Sequence, residues 1–165
     1  MPITIPRPNL ILPKIPSLLV AGLLAAQYLF LGSGNSPEPK CSLNIERPHY
    51  SSYLNEYKKI DAIKLNITAT CNVPQKYTEL VASIQKIENS RQAMAYKFER
   101  TRRFSTVDSS HIVIFENLFA TCLKGVDVPY SGEAKGYVYL QNGQKYPVEG
   151  TSRKFMVVSC QIVAK

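Results

Sequence analysis

The sequence predicts an all-β domain, closed by disulfides and preceded by one transmembrane α-helix. Three observations predict it: an apolar run near the N-terminus with cations ahead of it, period-two alternation recurring beyond residue 40, and four cysteines that all follow the apolar run. The chain has 165 residues. Setting aside the N-terminal region leaves roughly 125 for one globular domain with one modest core. Ten tyrosines and six phenylalanines supply aromatic bulk where there is no tryptophan. The 45% hydrophobic content excludes a disordered tail for the remainder.

Residues 1–14 form a proline-rich segment, read as a cytoplasmic tail. Pro2, Pro6, Pro8 and Pro13 forbid a helix there and favour an extended path. Residues 15–32 are read as a retained membrane anchor. From Ile15 to Leu31 only Pro16, Ser17 and Gln27 interrupt the apolar character. A helix over that run reaches roughly 25 Å, a little short of a typical hydrocarbon core. Arg7 and Lys14 precede it and no acid occurs before Glu38, so the positive-inside rule keeps the N-terminus cytoplasmic and sends the domain outward. Small residues Ala21, Gly22, Ala25 and Ala26 suit packing against other membrane helices. Gly32 and Gly34 leave a removable signal as the alternative. Residues 33–40, rich in turn formers, are a linker to an extracytoplasmic domain over residues 41–165.

In that domain "CSLNIER", "LNITATC", "TELVASIQKIE", "QAMAYKFE", "HIVIFENLFATCLK" and "RKFMVVSCQIV" each read as a strand. Thr78–Arg91 is the most ambiguous of these stretches. "KGYVYLQNGQKYPVEG" places Asn142-Gly143 between two alternating runs, the signature of a type I′ hairpin. About eight strands and no further helix give a sandwich or barrel. Cys41, Cys71, Cys122 and Cys160 each fall on the apolar face of their strand, so all four point into one core. Export favours two disulfides. Cys41 opens one strand and Cys71 closes the next, which favours Cys41–Cys71 with Cys122–Cys160. Each bridge would then stabilise by roughly 3–4 kcal/mol in the chain-entropy model.

The layout "ITATC", "FATCLKG" and "VVSC" resembles the cysteine-framed, immunoglobulin-like β-sandwich domains of exported bacterial proteins. The resemblance covers about residues 41 to 163 and implies a fold that mediates contacts. It also implies a rival pairing, Cys71–Cys122 with Cys41–Cys160, like the inter-sheet bridge of those domains. The hallmark tryptophan is absent, and Ala120 stands where their tyrosine would be.

A second, remote resemblance is to sortase transpeptidases, carried by "LFATC". It implies Cys122 as nucleophile, His49 or His111 as acid/base and Arg153 as oxyanion partner. Phe119 departs from that family's pattern, and Arg153 lies 31 residues past the cysteine.

"KFERTRR" gathers Lys97, Arg100, Arg102 and Arg103 as a contact for lipid or an acidic partner, or as charges that blunt a sheet edge. Tyr137, Tyr139 and Tyr146 flank the Asn-Gly turn and suit a binding face, or else cross-strand packing. Asn66-Ile67-Thr68 is a glycosylation sequon on an outward face. The net charge of +8 is diffuse, and no nucleic-acid motif accompanies it. No cofactor, no metal site and no catalytic constellation is expected.

The function expected is therefore a non-catalytic, single-pass accessory subunit of a larger membrane complex. Its partners would be other membrane subunits and the lipid bilayer. The alternative is an independent surface binding or adhesion module.

Overall fold

The computed structural model describes residues 38–105 and 110–163. The proline-rich tail, the expected membrane helix with Ala21, Gly22, Ala25 and Ala26, and residues 33–37 of the linker lie outside the described residues. Among the described residues no helix is long and apolar enough to cross a membrane.

The described chain is a cysteine-stabilised β domain. Its strands are β1 (Cys41–Ile45), β2 (His49–Tyr50), β3 (Ala62–Cys71), β4 (Gln75–Glu88), β5 (Arg91–Lys97), β6 (Thr101–Phe104), β7 (Ile112–Leu140), β8 (Lys145–Thr151) and β9 (Met156–Ile162), with one short helix, α1 (Ser52–Lys58). All ladders are antiparallel and belong to a single curled sheet, ordered β1-β3-β7-β4-β5 along its main path. The period-two alternation does what it predicts. In β3, Ile63, Leu65, Ile67 and Ala69 are fully buried, and in β4 Leu80, Ala82 and Ile84 join the same core. The ambiguous stretch from Thr78 belongs to β4, a strand of 14 residues.

β7 departs most from the sequence expectation. Two strands were expected around "GVDVPYSGEAKG", but one strand of 29 residues runs through it and pairs with β3, β4, β8 and β9. The glycines and proline that read as turns bend and pack this strand. Gly125, at φ 105°, sits where the register against β9 jumps between Lys124 and Asp127. At Gly132 an added Cβ would lie 2.5 Å from Leu65 Cδ1 and 3.0 Å from Ile45 Cγ2. The curl thus brings β1 and β3 across the core onto the second half of β7.

Both bridges follow the favoured pairing. Cys41 and Cys71 are direct register partners with Cα atoms 4.1 Å apart, and Cys122 joins Cys160 at 5.5 Å. Each bridge links hydrogen-bonded neighbours, so the inter-sheet alternative is not formed.

Two hairpins exchange roles. Asn142-Gly143 is not a type I′ turn: only Gly143 has positive φ (84°), and the Leu140 carbonyl accepts from Gly143 N–H at 3.1 Å. This makes a three-residue loop ending in a glycine bulge. The two-residue hairpin lies instead at Asn89-Ser90, with φ 48° and 63°, between the paired Glu88 and Arg91. No helix was expected after the anchor, yet α1 forms. Ser51 Oγ accepts from Leu54 N–H (3.3 Å), and Lys59 ends the helix at φ 57°. Only Leu54 of α1 is buried, so no helical period was available to read.

Candidate docking face

The outward face of β6, β4, the second half of β7 and β8 collects side chains far apart in sequence. Register sets Phe104, Tyr77, Tyr139 and Lys145 in one row across the four strands. The next row is Arg102, Glu79, Tyr137 and Pro147. A third holds Val81, Lys135 and Glu149. Behind them Thr78, Leu80, Ala82 and Val138 are buried, so core packing fixes the rows from beneath.

The rows are also tied laterally. Tyr77 stacks on Tyr139 at 4.3 Å between centroids, and Phe104 leans on Tyr77 at 5.4 Å. The Arg102 guanidinium lies 4.7 Å above the Tyr77 ring, and the Lys145 ammonium lies 4.9 Å above Tyr137. Glu79 accepts from both Arg100 (3.3 Å) and Arg102 (3.0 Å). That hydrogen bond to Glu79 is the main reason the Arg102 guanidinium is held above its usual pKa. Gly136 lets β7 approach β4 closely, since an added Cβ would lie 2.0 Å from the Glu79 carbonyl oxygen. Over it lies a shallow groove of about 500 Å³ bordered by Arg100, Lys135, Tyr137 and Glu149.

The basic segment expected as one patch is therefore divided. Arg100 and Arg102 are spent on Glu79. Lys97 lies on β5 opposite Ser83, and Arg103 lies opposite the buried Thr78. No carboxylate pairs with Lys97, Arg103, Lys135 or Lys145 among the described residues. Tyr137 (42% exposed) and Tyr139 are on the face. Tyr146 is a correction: it lies opposite the buried Val138 and packs against the core. Tyr77, Glu79 and Lys135 are the participants the sequence did not single out. The alternation in "KYTELVAS" was visible, but nothing in it says which strand lies alongside.

The other candidates resolve differently. Cys122 is bridged to Cys160, so the thiol that the transpeptidase resemblance requires is absent. His49 Nδ1 lies 3.1 Å from the Arg47 carbonyl and His111 Nδ1 lies 3.2 Å from the Cys71 carbonyl, at opposite ends of β3. Arg153 borders a groove with His49, and Cys122 is not among the residues that line it. Asn66 Nδ2 donates to Glu46 Oε2 at 2.8 Å, while its Oδ1 is buried without a partner. No group of three His, Cys, Asp or Glu side chains is placed to hold a metal ion among the described residues.

A separate polar cluster centres on Asp61. Its Oδ1 accepts from Tyr50 OH (2.5 Å), Asn55 Nδ2 (2.8 Å) and Lys124 Nζ (3.0 Å). The Tyr50 hydroxyl, then Lys124, hold the Asp61 carboxyl below its ordinary value. This cluster fastens the α1 loop to β7, and its role is structural.

No family model matches the chain, and no curated protein matches it. Among solved structures, a solution structure of a protein described as late embryogenesis abundant is similar at 10% identity. It covers 87% of this chain and 85% of its own, with a TM-score of 0.39, a level at which it carries no argument about fold or function.

Proposed function

We propose that this protein is a non-catalytic, single-pass accessory subunit of a membrane complex, whose exported domain docks a partner subunit. The observation that carries the proposal is the pre-ordered tyrosine–arginine face on β6, β4, β7 and β8. Tyrosine and arginine dominate the energetics of protein interfaces. Here stacking, cation–π contacts and the Glu79 ion pairs restrict their rotamers before any partner arrives. Lys135 and Lys145, which pair with no carboxylate among the described residues, suit the face to an acidic surface. The apolar run at residues 15–32 supplies the anchor in this proposal, and Arg7 and Lys14 orient it with the domain outside. The contact role is proposed for a single curled sheet whose two bridges join neighbouring strands, not for the immunoglobulin-like sandwich that the sequence resemblance implied.

The test is purification of the full chain from its native membranes in mild detergent. A stoichiometric partner is expected, and Tyr137→Ala or Lys135→Glu is expected to weaken its retention about tenfold each, since one interface anchor is worth on the order of 1–2 kcal/mol. Recovery of the wild-type chain as a free monomer refutes the proposal. So does a partner whose retention neither substitution changes.

A further inference from the structure

A strand at the edge of a sheet is a template for another chain unless charge, proline or a bulge blunts it. β5 is blunted by Arg91 and Lys97 at its ends and by the register break where it faces Ile84 and Gln85. β6 carries Arg102 and Arg103, and β8 carries Lys145, Pro147 and Glu149. β9 has none of these devices. From Phe155 to Val163 there is no charged residue and no proline, and among the described residues β9 forms a ladder with β7 alone. The bulge in that ladder belongs to β7, between Lys124 and Asp127, while β9 itself runs unbroken. Its outward side chains are apolar or uncharged: Phe155 is 56% exposed and Val157 53%, and Ser159 and Gln161 continue the row.

Beside the start of β9 lies a groove of about 580 Å³. Arg153, Lys154 and Met156 border it from the β8–β9 corner, and Glu46, Arg47 and His49 from the β1–β2 corner. Both corners are pinned. Ser152 N–H donates to the Gly132 carbonyl (2.8 Å), and its Oγ accepts from Gly132 N–H (3.0 Å) and donates to the Lys154 carbonyl (3.2 Å). On the other side Glu46 N–H donates to the Asn66 carbonyl at 3.0 Å, and Pro48 is fully buried. Charge is unbalanced between the two corners. Glu46 is the one acid that lines the groove, and its Oε2 already accepts from Asn66 Nδ2 at 2.8 Å. No carboxylate pairs with Arg47, Arg153 or Lys154 among the described residues.

We propose that β9 receives an added strand along Met156–Ser159, supplied by an extended, carboxylate-bearing segment of a partner protein. The unblunted edge offers main-chain groups that a peptide backbone pairs with, and strand addition of this kind takes its affinity from such a ladder. The cations at the groove set the chemistry of the segment, because arginine forks match carboxylates in a bidentate geometry. The segment stops short of the end of β9, where the Tyr130 hydroxyl already serves the Cys160 carbonyl and Ile162 N–H. A second copy of this chain is the poorer occupant, since it brings a net charge of +8 to a groove that lacks carboxylates. This proposal does not rest on the docking face of β6, β4, β7 and β8, nor on the reading of residues 15–32.

The probe is a capped, fluorescently labelled peptide of about six residues, the usual length of a strand, that alternates valine with threonine and ends in two glutamates. The full chain in mild detergent is titrated with it and with two controls. One control replaces the glutamates by lysines, and the other keeps them but has methylated backbone nitrogens. Saturable binding of the acidic peptide is expected, with a Kd on the order of 100 µM. The variant Arg153→Glu with Lys154→Glu, both on the exposed corner, should weaken it about tenfold. Neither control should bind, and amide exchange across Met156–Ser159 should slow when the acidic peptide is present.

Equal affinity for the methylated peptide means that charge alone attracts it and no strand is added, which overturns the proposal. Equal affinity for the lysine peptide, or no loss in the Arg153→Glu, Lys154→Glu variant, removes the carboxylate and overturns it as well. A molecular mass that rises towards a dimer with concentration, and that Val157→Lys returns to the monomer, gives the edge to a second copy and also overturns it. So does an acidic peptide that fails to bind.

Discussion

Gly136 and Ser90 are two positions where one atom decides the energy, in opposite directions. At Gly136 a methyl group would sit 2.0 Å from the Glu79 carbonyl oxygen and 2.9 Å from Leu80 Cα, both backbone atoms in the middle of the β4–β7 ladder. Neither can rotate away, so the strands must part. Gly136→Ala is expected to cost about 3 kcal/mol or more, the upper range for overpacking. Chemical denaturation of the full chain reads it directly. Ser90 has the reverse problem, a side chain on a left-handed backbone at φ 63°. Such a residue costs roughly 1–2 kcal/mol, partly offset when glycine adds freedom to the unfolded chain. Ser90→Gly is expected to stabilise by about 0.5–1 kcal/mol. A neutral or negative effect in the same denaturation assay contradicts the turn assignment.

At the scale of elements, alternation was sufficient to place β1, β3 and β9, because each buries one face more than the other; β4 stayed ambiguous because consecutive residues Ala82, Ser83, Ile84 and Gln85 are all buried. Parity also placed all four cysteines inward, and adjacency in sequence chose their partners. β7 was not legible as one strand, since glycine and proline carry the same letters whether they end a strand or bend it. The docking face was half legible for a related reason. Arg100, Arg102, Tyr137 and Tyr139 stood out locally, but Glu79 and Tyr77 acquire their meaning only from register across strands. Register likewise turned Tyr146 inward. β9 gives a prediction at this scale. It is held to β7 by the Cys122–Cys160 bridge and by Tyr130, whose buried hydroxyl donates to the Cys160 carbonyl (3.3 Å) and accepts from Ile162 N–H (2.8 Å). Cys122→Ala with Cys160→Ala is expected to cost about 2–4 kcal/mol. Tyr130→Phe, which leaves a buried N–H unpaired, is expected to cost about 1–3 kcal/mol. Hydrogen exchange should show β9 opening first in both variants, and uniform loss of protection across the sheet contradicts that order.

At the scale of the whole molecule, charge and protonation set the pH range of the fold. The chain is formally +8 at pH 7, so acid adds positive charge to a molecule already repelling itself. Asp61 adds a specific contribution. Its folded pKa is lowered, first by the Tyr50 hydroxyl and then by Lys124. Its stabilisation is therefore present above the unfolded carboxylate value, near about 3.9, and is lost as pH falls through the folded value. Lys124 has the opposite sign. Its pKa is raised, first by Tyr50 and then by Asp61, so its contribution is full below the ordinary lysine range and is lost above it. The same contact thus fails at both extremes, and between them stability should change little with pH. Thermal melting of the full chain is expected to be flat from about pH 5 to 9, bounded by these ordinary values, and to drop steeply below about pH 4. Asp61→Asn retains acceptors for Tyr50 and Asn55 but has no carboxylate to protonate. Its melting temperature should be lower at neutral pH and should converge on the wild type in acid. Parallel curves for the two proteins would mean that general repulsion, and not the Asp61 cluster between the α1 loop and β7, governs the acid limit.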